Sequence, residues 1–200
     1  MHILCVDNPA TDQPKLYKEG LKLQHLVYEK VGFYKKGTAL QRPPHPPLVG
    51  IYGISQNQQN SNYEVAATVL GFNAQEEISI ETDFSDKLDE LRNSNPSGHK
   101  LYWGNFASVN KGGYALLLQA LRISLNRNAH LAIIVVHTSD VPTYRRLGFA
   151  QNGFVKNVGG LENAPGHLMV ITRKTLEGKF LTRVGMQPQE PPAEDLERRA

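Results

Sequence analysis

A glycine turn in the middle of the chain holds residue types and spacing that can do chemistry. Residues 108–115 read Ser-Val-Asn-Lys-Gly-Gly-Tyr-Ala and lie between an apolar strand pattern and an apolar helix pattern. Glycines let the backbone approach a ligand closely, and the amides at a helix N-terminus favour anions. Gly112 and Gly113 therefore predict a cradle for a pyrophosphate or a phosphopantetheine, and a plain tight turn is the structural alternative.

Several other kinds of site are excluded by the sequence. It contains no Gly-x-x-x-x-Gly-Lys-Ser/Thr loop, no dinucleotide-binding glycine spacing and no Gly-x-Ser-x-Gly elbow. The histidines lack metal-ligand spacing such as His-x-x-x-His, so no metal is predicted. The single cysteine, Cys5, excludes an internal disulfide, and the apolar run 3–6 predicts an inert thiol packed in a strand, with a reactive thiol as the alternative.

Composition and charge indicate one compact domain. The chain has 200 residues, of which 40% are hydrophobic and 20% charged, and its formal net charge is +3. Its basic pairs at 35–36, 145–146 and 198–199 are scattered, so nucleic-acid binding is not predicted; they form a solvated surface or a landing patch for an acidic carrier or a phosphate. No run approaches the roughly 18 to 20 apolar residues of a membrane span, which predicts a cytoplasmic protein.

The elements that position the glycine turn follow from hydrophobic periodicity. Strands are predicted at 3–6, 63–72, 101–109, 131–136, 155–158 and 168–172, and helices at 15–34, 114–125 and 143–147. Ile78 and Ile80 indicate further strand, and Ser85 predicts the N-cap of a short helix. The strand, turn, helix and strand around Gly113 form a βαβ-like unit. Residues 1–184 are predicted to form one domain, followed by a flexible polar tail, 185–200.

Two motifs resemble those of the GNAT acyltransferase superfamily. Residues 110–115, Asn-Lys-Gly-Gly-Tyr-Ala, are similar to its donor loop Gln/Arg-x-x-Gly-x-Gly/Ala, with Asn110 in place of Gln or Arg. Residues 144–149, Tyr-Arg-Arg-Leu-Gly-Phe, match its later helix Tyr-x-x-Leu-Gly-Phe. The resemblance implies an α/β fold with a mixed, mostly antiparallel, twisted sheet of about six to seven strands flanked by helices.

A finer resemblance connects the chain to the N-acyl amino acid synthases and the acyl-homoserine-lactone synthases. Residues 23–33 are similar to their Leu-Arg-x-x-Val-Phe-x-x-x-x-Gly-Trp helix, and residues 80–84 to a short acidic-aromatic stretch. Gln24 stands where these families usually have Arg. Residues 102–106, Tyr-Trp-Gly-Asn-Phe, stand where autoinducer synthases have Glu-x-Ser-Arg-Phe. Both differences remove charge from the acceptor side, which disfavours homoserine-lactone chemistry.

The resemblance implies transfer of an acyl group from a thioester donor, acyl-CoA or acyl carrier protein, to a small amine such as an amino acid. The amine attacks directly, without a metal or a covalent intermediate, and backbone amides near 107–109 face the carbonyl. Carried over residue by residue, the donor site comprises Phe106, Ala107, Ser108, Val109, Asn110, Lys111, Gly112, Gly113, Tyr114 and Ala115.

Three side chains are candidates for the proton transfers that this reaction needs. Tyr144 opens the second motif, and a phenol with a pKa near ~10 is a reasonable acid toward the departing thiolate. His137, at the end of a predicted interior strand, can accept the proton of the amine, and Glu81 is a further candidate base. The structural alternatives are a packed tyrosine, a hydrogen-bonded strand-end histidine and a surface or capping carboxylate.

Two further expectations stay open at this stage. His25 and His167 are candidates to meet in an acceptor pocket. The changes at Gln24, Asn105 and Asn110 leave a second function open, a module of the same fold that binds acyl-CoA or an acyl carrier without catalysis.

Overall fold

A computed structural model describes residues 1–40, 43–56, 63–76, 78, 80–109, 113–158 and 164–181, and the side chains of residues 56, 63, 81, 180 and 181 lie outside that description. In this part of the chain the strands are β1 (His2–Asp7), β2 (Val49–Gln56), β3 (Tyr63–Asn73), β4 (Lys100–Ser108), β5 (Leu131–His137), β6 (Ala150–Val155) and β7 (Gly166–Thr172). The α-helices are α1 (Pro9–Asp12), α2 (Pro14–Lys30), α3 (Glu81–Ser94), α4 (Gly113–Asn126), α5 (Val141–Leu147) and α6 (Arg173–Leu176). None of these helices is both long enough and apolar enough to cross a membrane.

The strands form one sheet in the order β1-β2-β3-β4-β5-β7-β6. Only β4 and β5 are parallel, and α4 is the crossover between them, so the predicted βαβ-like unit is confirmed. All other neighbouring strands pair antiparallel. The expectation of a mixed, mostly antiparallel sheet of six to seven strands is therefore confirmed.

Helices cover both faces of the sheet, because each face carries its own apolar cluster. On one face, α2 packs against β3 and β4 and α3 packs against β6, and Leu21, Phe84 and Leu88 are buried in one shared cluster. On the other face, α4, α5 and α6 pack against a cluster centred on Trp103. Residues that alternate along β4 serve the two clusters in turn, so this strand is buried on both sides.

Helix α2 lies unusually close to the sheet at Gly20. The helix begins with Pro14, whose missing N–H costs nothing in a first turn. A Cβ atom on Gly20 would come within 2.8 Å of the Tyr52 ring, so only glycine permits this approach without displacement. The close contact fixes the buried face of α2, which continues one turn later at Gln24.

Three sequence expectations for local structure are wrong. Ile78 and Ile80 do not form a strand; Ile80 is instead the N-cap of α3. Ser85 does not cap that helix, because α3 begins at Glu81 and is kinked at Phe84, where φ is −134°. The strand expected at 155–158 is β6, which begins earlier, at Ala150, directly after the turn at Gly148.

Two other expectations concern the ends of the chain. Cys5 is exposed, which contradicts the expected packed thiol: β1 is an edge strand with little cover on either face. The predicted flexible tail, 185–200, lies outside the described residues.

Candidate functional site

The two central parallel strands separate halfway along their length. Their pairing runs from Lys100 opposite Leu131 to Trp103 opposite Ile134 and continues no further along the two strands as described. β4 nevertheless extends to Ser108 and stays paired with β3, while β5 stays paired with β7 up to His137. The separation opens a V-shaped cleft in the middle of the sheet.

A β-bulge at Asn105 accompanies the separation. Leu70 of β3 pairs with Gly104, whereas Thr68 pairs with Ala107, so β4 has one more residue than β3 in this interval. Asn105 has a φ of 53°, in the left-handed region that asparagine tolerates better than most residues. Since a bulge bends its strand, this residue helps to turn β4 away from β5.

Beyond the bulge, successive residues of β4 point their main-chain N–H and C=O groups to the two edges of the strand in turn. The N–H of Val109 donates to the carbonyl of Ala66, 3.0 Å away, so this amide of the predicted donor site serves the sheet. Alternation turns the main-chain groups of Ser108 to the opposite edge, beyond which β5 diverges. Of the amides predicted to face a thioester carbonyl, that of Ser108 therefore points to the cleft side, and that of Val109 does not.

The N-terminus of α4 adjoins this end of β4. Gly113 begins the helix, and a Cβ atom there would lie 3.0 Å from the Phe106 ring, so glycine allows helix and strand to meet. The first amides of a helix have no carbonyl partner within it and favour an anion. Asn110, Lys111 and Gly112, which form the rest of the predicted turn, lie outside the described residues.

A cavity of about 260 Å³ fills the cleft on the side of α2, near the lower end of the range for small-molecule sites. Its wall combines the diverging strands with aromatic residues from α2 and the segment that follows it. The lining residues are Gln24, Tyr28, Phe33, Tyr34, Pro43, Ile80, Tyr102, Trp103, Gly104, Asn105, Phe106, Val135, His137, Val158, Ala164, Pro165 and Gly166.

Polar groups of the cavity centre on Gln24. This side chain is 6% exposed, and its Oε1 accepts a hydrogen bond of 2.8 Å from Nδ2 of Asn105. Gln24 lines the cavity together with Tyr28 and Tyr34, and its side chain works against burial to lower the pKa of both phenols. Burial, followed by the neighbouring phenols of Tyr102 and Tyr34, raises the pKa of Tyr28, and burial likewise raises the pKa of Tyr34.

Sequence reasoning identified Gln24 and Asn105 as altered positions but did not predict their contact, and it missed Tyr28 and Tyr34. One signal was present in the sequence: Gln24 and Tyr28 are four residues apart on a helix, which places them on the same face. The contact between Gln24 and Asn105 joins two elements far apart in the chain, which periodicity does not specify.

His137 lies where the sequence placed it, at the end of β5 and on the wall of the cavity. Its Nδ1 accepts the backbone N–H of Ser139 at 3.3 Å and lies 2.9 Å from the hydroxyl of the same residue. An Nδ1 that accepts an N–H is unprotonated, so the neutral ring carries its hydrogen on Nε2. In this arrangement the ring offers a hydrogen-bond donor to the cleft.

Tyr144 is buried on α5, on the opposite face of the sheet from α2, and its ring makes an edge contact with Phe149 at 5.4 Å between centroids. Burial, and then the carboxylate of Asp140, raises the pKa of the phenol. Tyr144 is not among the described residues that line the cavity, and it is the weakest of the neighbours that raise the pKa of Tyr28.

The remaining candidates have other surroundings. Glu81 begins α3 next to Ile80, which lines the cavity, but its side chain lies outside the described part. His25 packs on Tyr34, and neither it nor His167 lines the cavity. His167 packs on Phe154 and lies 3.0 Å from the Thr138 hydroxyl; its pKa is lowered by burial, then by Arg145 and His137. The expected meeting of His25 and His167 gains no support from these contacts.

Among the described residues, no group of three or more His, Cys, Asp and Glu side chains is arranged to hold a metal ion.

Comparison with known proteins adds information about the fold. No protein-family model matches the sequence, and no curated protein matches it either. FeeM, an N-acyl amino acid synthase from uncultured soil microbes, has 13% sequence identity and a TM-score of 0.61 over 88% of this chain and 98% of its own. TofI, solved in a ternary complex with an inhibitor and MTA, has 16% identity and a TM-score of 0.68 over 94% and 98%. The AHL synthase LasI has 17% identity and a TM-score of 0.59 over 90% and 95%.

At these identities the comparisons establish architecture, and they agree with the resemblance that the sequence motifs indicated. The shared features are the open, mostly antiparallel sheet and the helices that flank it. The chain therefore has the GNAT-like fold of the acyltransferring synthases that it is similar to.

Proposed function

We propose that this protein is an N-acyltransferase that moves an acyl group from a thioester donor, acyl-CoA or acyl carrier protein, to a small amine such as an amino acid. The observation that carries the proposal is the cleft between β4 and β5, which holds an aromatic, hydrogen-bonding cavity and adjoins the N-terminus of α4. Residues 1–184 form the acyltransferase domain, and the protein acts in the cytoplasm.

The donor lies along the end of β4 and the start of α4, on residues 106–115. A pantetheine arm carries amide groups that can pair with a strand edge, and its phosphates suit the amides of a helix N-terminus. The edge of β4 beyond the bulge and the first turn of α4 supply both features. The cradle formed by Asn110, Lys111 and Gly112 stays a prediction.

The reaction is a direct exchange at the thioester carbonyl. The amine nitrogen forms a bond to the carbonyl carbon, the carbon–sulfur bond breaks, the amine loses a proton and the thiolate gains one. Tyr144 is the proposed acid for the thiolate, because it opens the Tyr-x-x-Leu-Gly-Phe match. Burial raises the pKa of its phenol, which keeps the hydroxyl protonated but makes it a weaker acid than a free phenol. Most of the acceleration comes from holding the two reactants close and aiming backbone donors at the oxyanion.

His137 and Glu81 are the proposed bases for the amine proton. Because the Nδ1 atom of His137 is engaged by Ser139, the ring takes up a proton at Nε2 only after a change of tautomer. Its Nε2–H is in the meantime suited to hold a water or the oxyanion.

The first experiment measures thiol release from acyl-CoA and acyl-carrier donors of short to long chains in the presence of a panel of amines. It uses a Cys5→Ser protein, because the exposed Cys5 would react with the thiol reagent. Mass spectrometry identifies the amide product. Amine-dependent thiol release with matching amide formation is expected; no release with any donor refutes the proposal.

The Tyr144→Phe variant tests the acid. Removing a general acid lowers kcat by about 10²-fold or more, whereas donor binding is unchanged. Tyr52→Phe is the matched control, because Tyr52 is also a buried tyrosine with a raised pKa but packs in the other apolar cluster, against Gly20 of α2. Equal rates for the two variants would remove Tyr144 from the mechanism.

A second candidate function is a module that binds an acyl-CoA or acyl carrier without turnover. The observation in its favour is that no Asp, Glu, Lys or Arg occurs among the cavity-lining side chains of the described residues. Donor binding by calorimetry, with no turnover in the wild type or in Tyr144→Phe, would support this module over the enzyme.

A further inference from the structure

The side of the cleft next to α2 is built to hold a polar group. Its centre is the hydrogen bond from Asn105 to Gln24, and both side chains line the cavity. An acyl chain gains nothing from buried amides and leaves their remaining hydrogen-bonding groups without partners. The donor is proposed to bind on residues 106–115, along the end of β4 and the start of α4. The polar group that contacts Gln24 and Asn105 therefore belongs to the acceptor.

The direction of the hydrogen bonds determines what this wall offers. Oε1 of Gln24 accepts from Asn105, so the amide nitrogen of Gln24 remains a donor on a wall that it shares with Tyr28 and Tyr34. The Gln24 side chain lowers the pKa of both phenols, although burial raises it by more. A phenol can both donate and accept, so these hydroxyl hydrogens can turn toward the cavity.

The phenol hydrogens are suited to an oxygen atom of the acceptor. Because burial raises the pKa of both phenols, they stay protonated at neutral pH and act as donors. A carboxylate placed against them would also need a positive charge to offset its desolvation. No Lys or Arg is among the described residues that line the cavity. A carbonyl or hydroxyl oxygen needs only the hydrogen bonds.

We propose that the acceptor is an amine that carries a neutral oxygen, as in an amino acid amide or an amino alcohol, and that Gln24, Asn105, Tyr28 and Tyr34 select it over the free amino acid. The inference rests on the proposed function and specifies the substrate class of the same site. The structural basis of the inference is the pair of neutral side-chain amides, Gln24 and Asn105, which are joined by a hydrogen bond on the cavity wall.

A matched pair of acceptors tests the inference. L-Phenylalaninamide and L-phenylalanine share a side chain and an amino group and differ in the neutral or charged oxygen group. With a donor that supports turnover, kcat/KM, compared at equal concentrations of unprotonated amine, is expected to be at least about tenfold higher for the amide. An equal or higher value for the free amino acid overturns the inference and leaves the proposed function intact.

Binding without a donor separates this inference from the acyl-transfer activity. The Trp103 indole packs on the α4 face and donates to Ser124, away from the α2 side, so acceptor binding is measured by isothermal titration calorimetry. The amide is expected to bind at least about tenfold more tightly than the acid. If no donor supports turnover but this preference holds, the proposed function fails and the selectivity stands. If neither compound binds at millimolar concentration, the inference is overturned.

A charge placed at Gln24 gives an independent readout. Gln24→Arg supplies a cation next to the phenols, and it is expected to shift the preference between acid and amide by at least about tenfold toward the acid. Gln119→Arg makes the same change on α4, outside the cavity, and is expected to leave the preference unchanged. Circular dichroism verifies that both variants are folded. A folded Gln24→Arg with wild-type preference overturns the role of this wall.

Discussion

Replacing Asn105 tests whether the bulge that opens the cleft is held by a backbone conformation and a side-chain hydrogen bond together. Its φ of 53° is costly for alanine, by about 1–2 kcal/mol, and free of strain for glycine. Either substitution also removes the hydrogen bond of 2.8 Å to Gln24 and leaves a buried Oε1 without its partner, which costs about 1–3 kcal/mol.

The two substitutions therefore give different expected losses in the free energy of unfolding. Asn105→Ala combines both terms and loses about 2–5 kcal/mol. Asn105→Gly loses the hydrogen bond and about 0.4–1 kcal/mol through the added freedom of the unfolded chain. The alanine variant is thus expected to be the less stable by about 1 kcal/mol, the net of the two backbone terms.

Urea unfolding followed by Trp103 fluorescence measures these differences, because Trp103 is buried beside the bulge and is the only tryptophan. A double-mutant cycle with Gln24→Leu isolates the side-chain contact, for which a coupling of about 1 kcal/mol is expected. Equal stabilities for Asn105→Ala and Asn105→Gly would refute the left-handed backbone. A coupling near zero would refute the hydrogen bond as a source of stability.

Three further predictions concern other parts of the fold. The Tyr52 hydroxyl is buried with no partner among the described residues, so Tyr52→Phe should raise the free energy of unfolding by about 1 kcal/mol. Burial raises the pKa of Tyr52 above 10.0, so the phenol of the unfolded chain loses its proton at a lower pH than that of the folded chain. Urea titrations at several pH values should therefore show that the wild type loses stability above about pH 10 more steeply than Tyr52→Phe does. Gly148→Ala should lower the thermal midpoint, since its φ is +102° and a Cβ atom would lie 2.9 Å from Lys179; an unchanged midpoint contradicts that geometry. The thiol of Cys5 should react with one equivalent of a thiol reagent in the native protein, because it is exposed. A thiol that does not react before unfolding would contradict this exposure and support the packed thiol predicted from the sequence.

The sequence predicts the centre of this fold better than its edges. The run 131–136 and the helix pattern after Gly113 are long and uninterrupted, so β5 and α4 are found where periodicity places them. β2 was not predicted because Gly50 and Gly53 weaken its pattern. The structure explains why both positions are glycine. A Cβ atom on Gly50 would lie 2.5 Å from the Tyr52 hydroxyl, and one on Gly53 would lie 2.6 Å from a methionine sulfur.

The candidate site also has some residues that the sequence predicts and others that it does not. Phe106, Gly113 and His137 are placed by local signals, because each stands at the end of a strand or the start of a helix that the sequence shows. The wall formed by Gln24 and Asn105 depends on how α2 packs across the sheet, which is set by the glycine contact one turn earlier and by the bulge in β4. Tertiary packing of that kind leaves no periodic trace in the sequence.

Under the proposed function, these features favour catalysis by positioning over catalysis by a strong charged group. The described wall of the cavity consists of aromatic and aliphatic residues, prolines, glycines, two neutral amides and one histidine, with no carboxylate among them. A neutral wall offers no strong base to take the proton of the amine. It also means that an uncharged amine does not have to break an interaction with a charged group before it attacks the thioester. The separation of β4 from β5 then matters most, because it determines how close the amine and the thioester can come. On this reasoning the bulge at Asn105 supports both parts of the site: it opens the strand edge for the donor and directs its side chain to the amide that holds the acceptor.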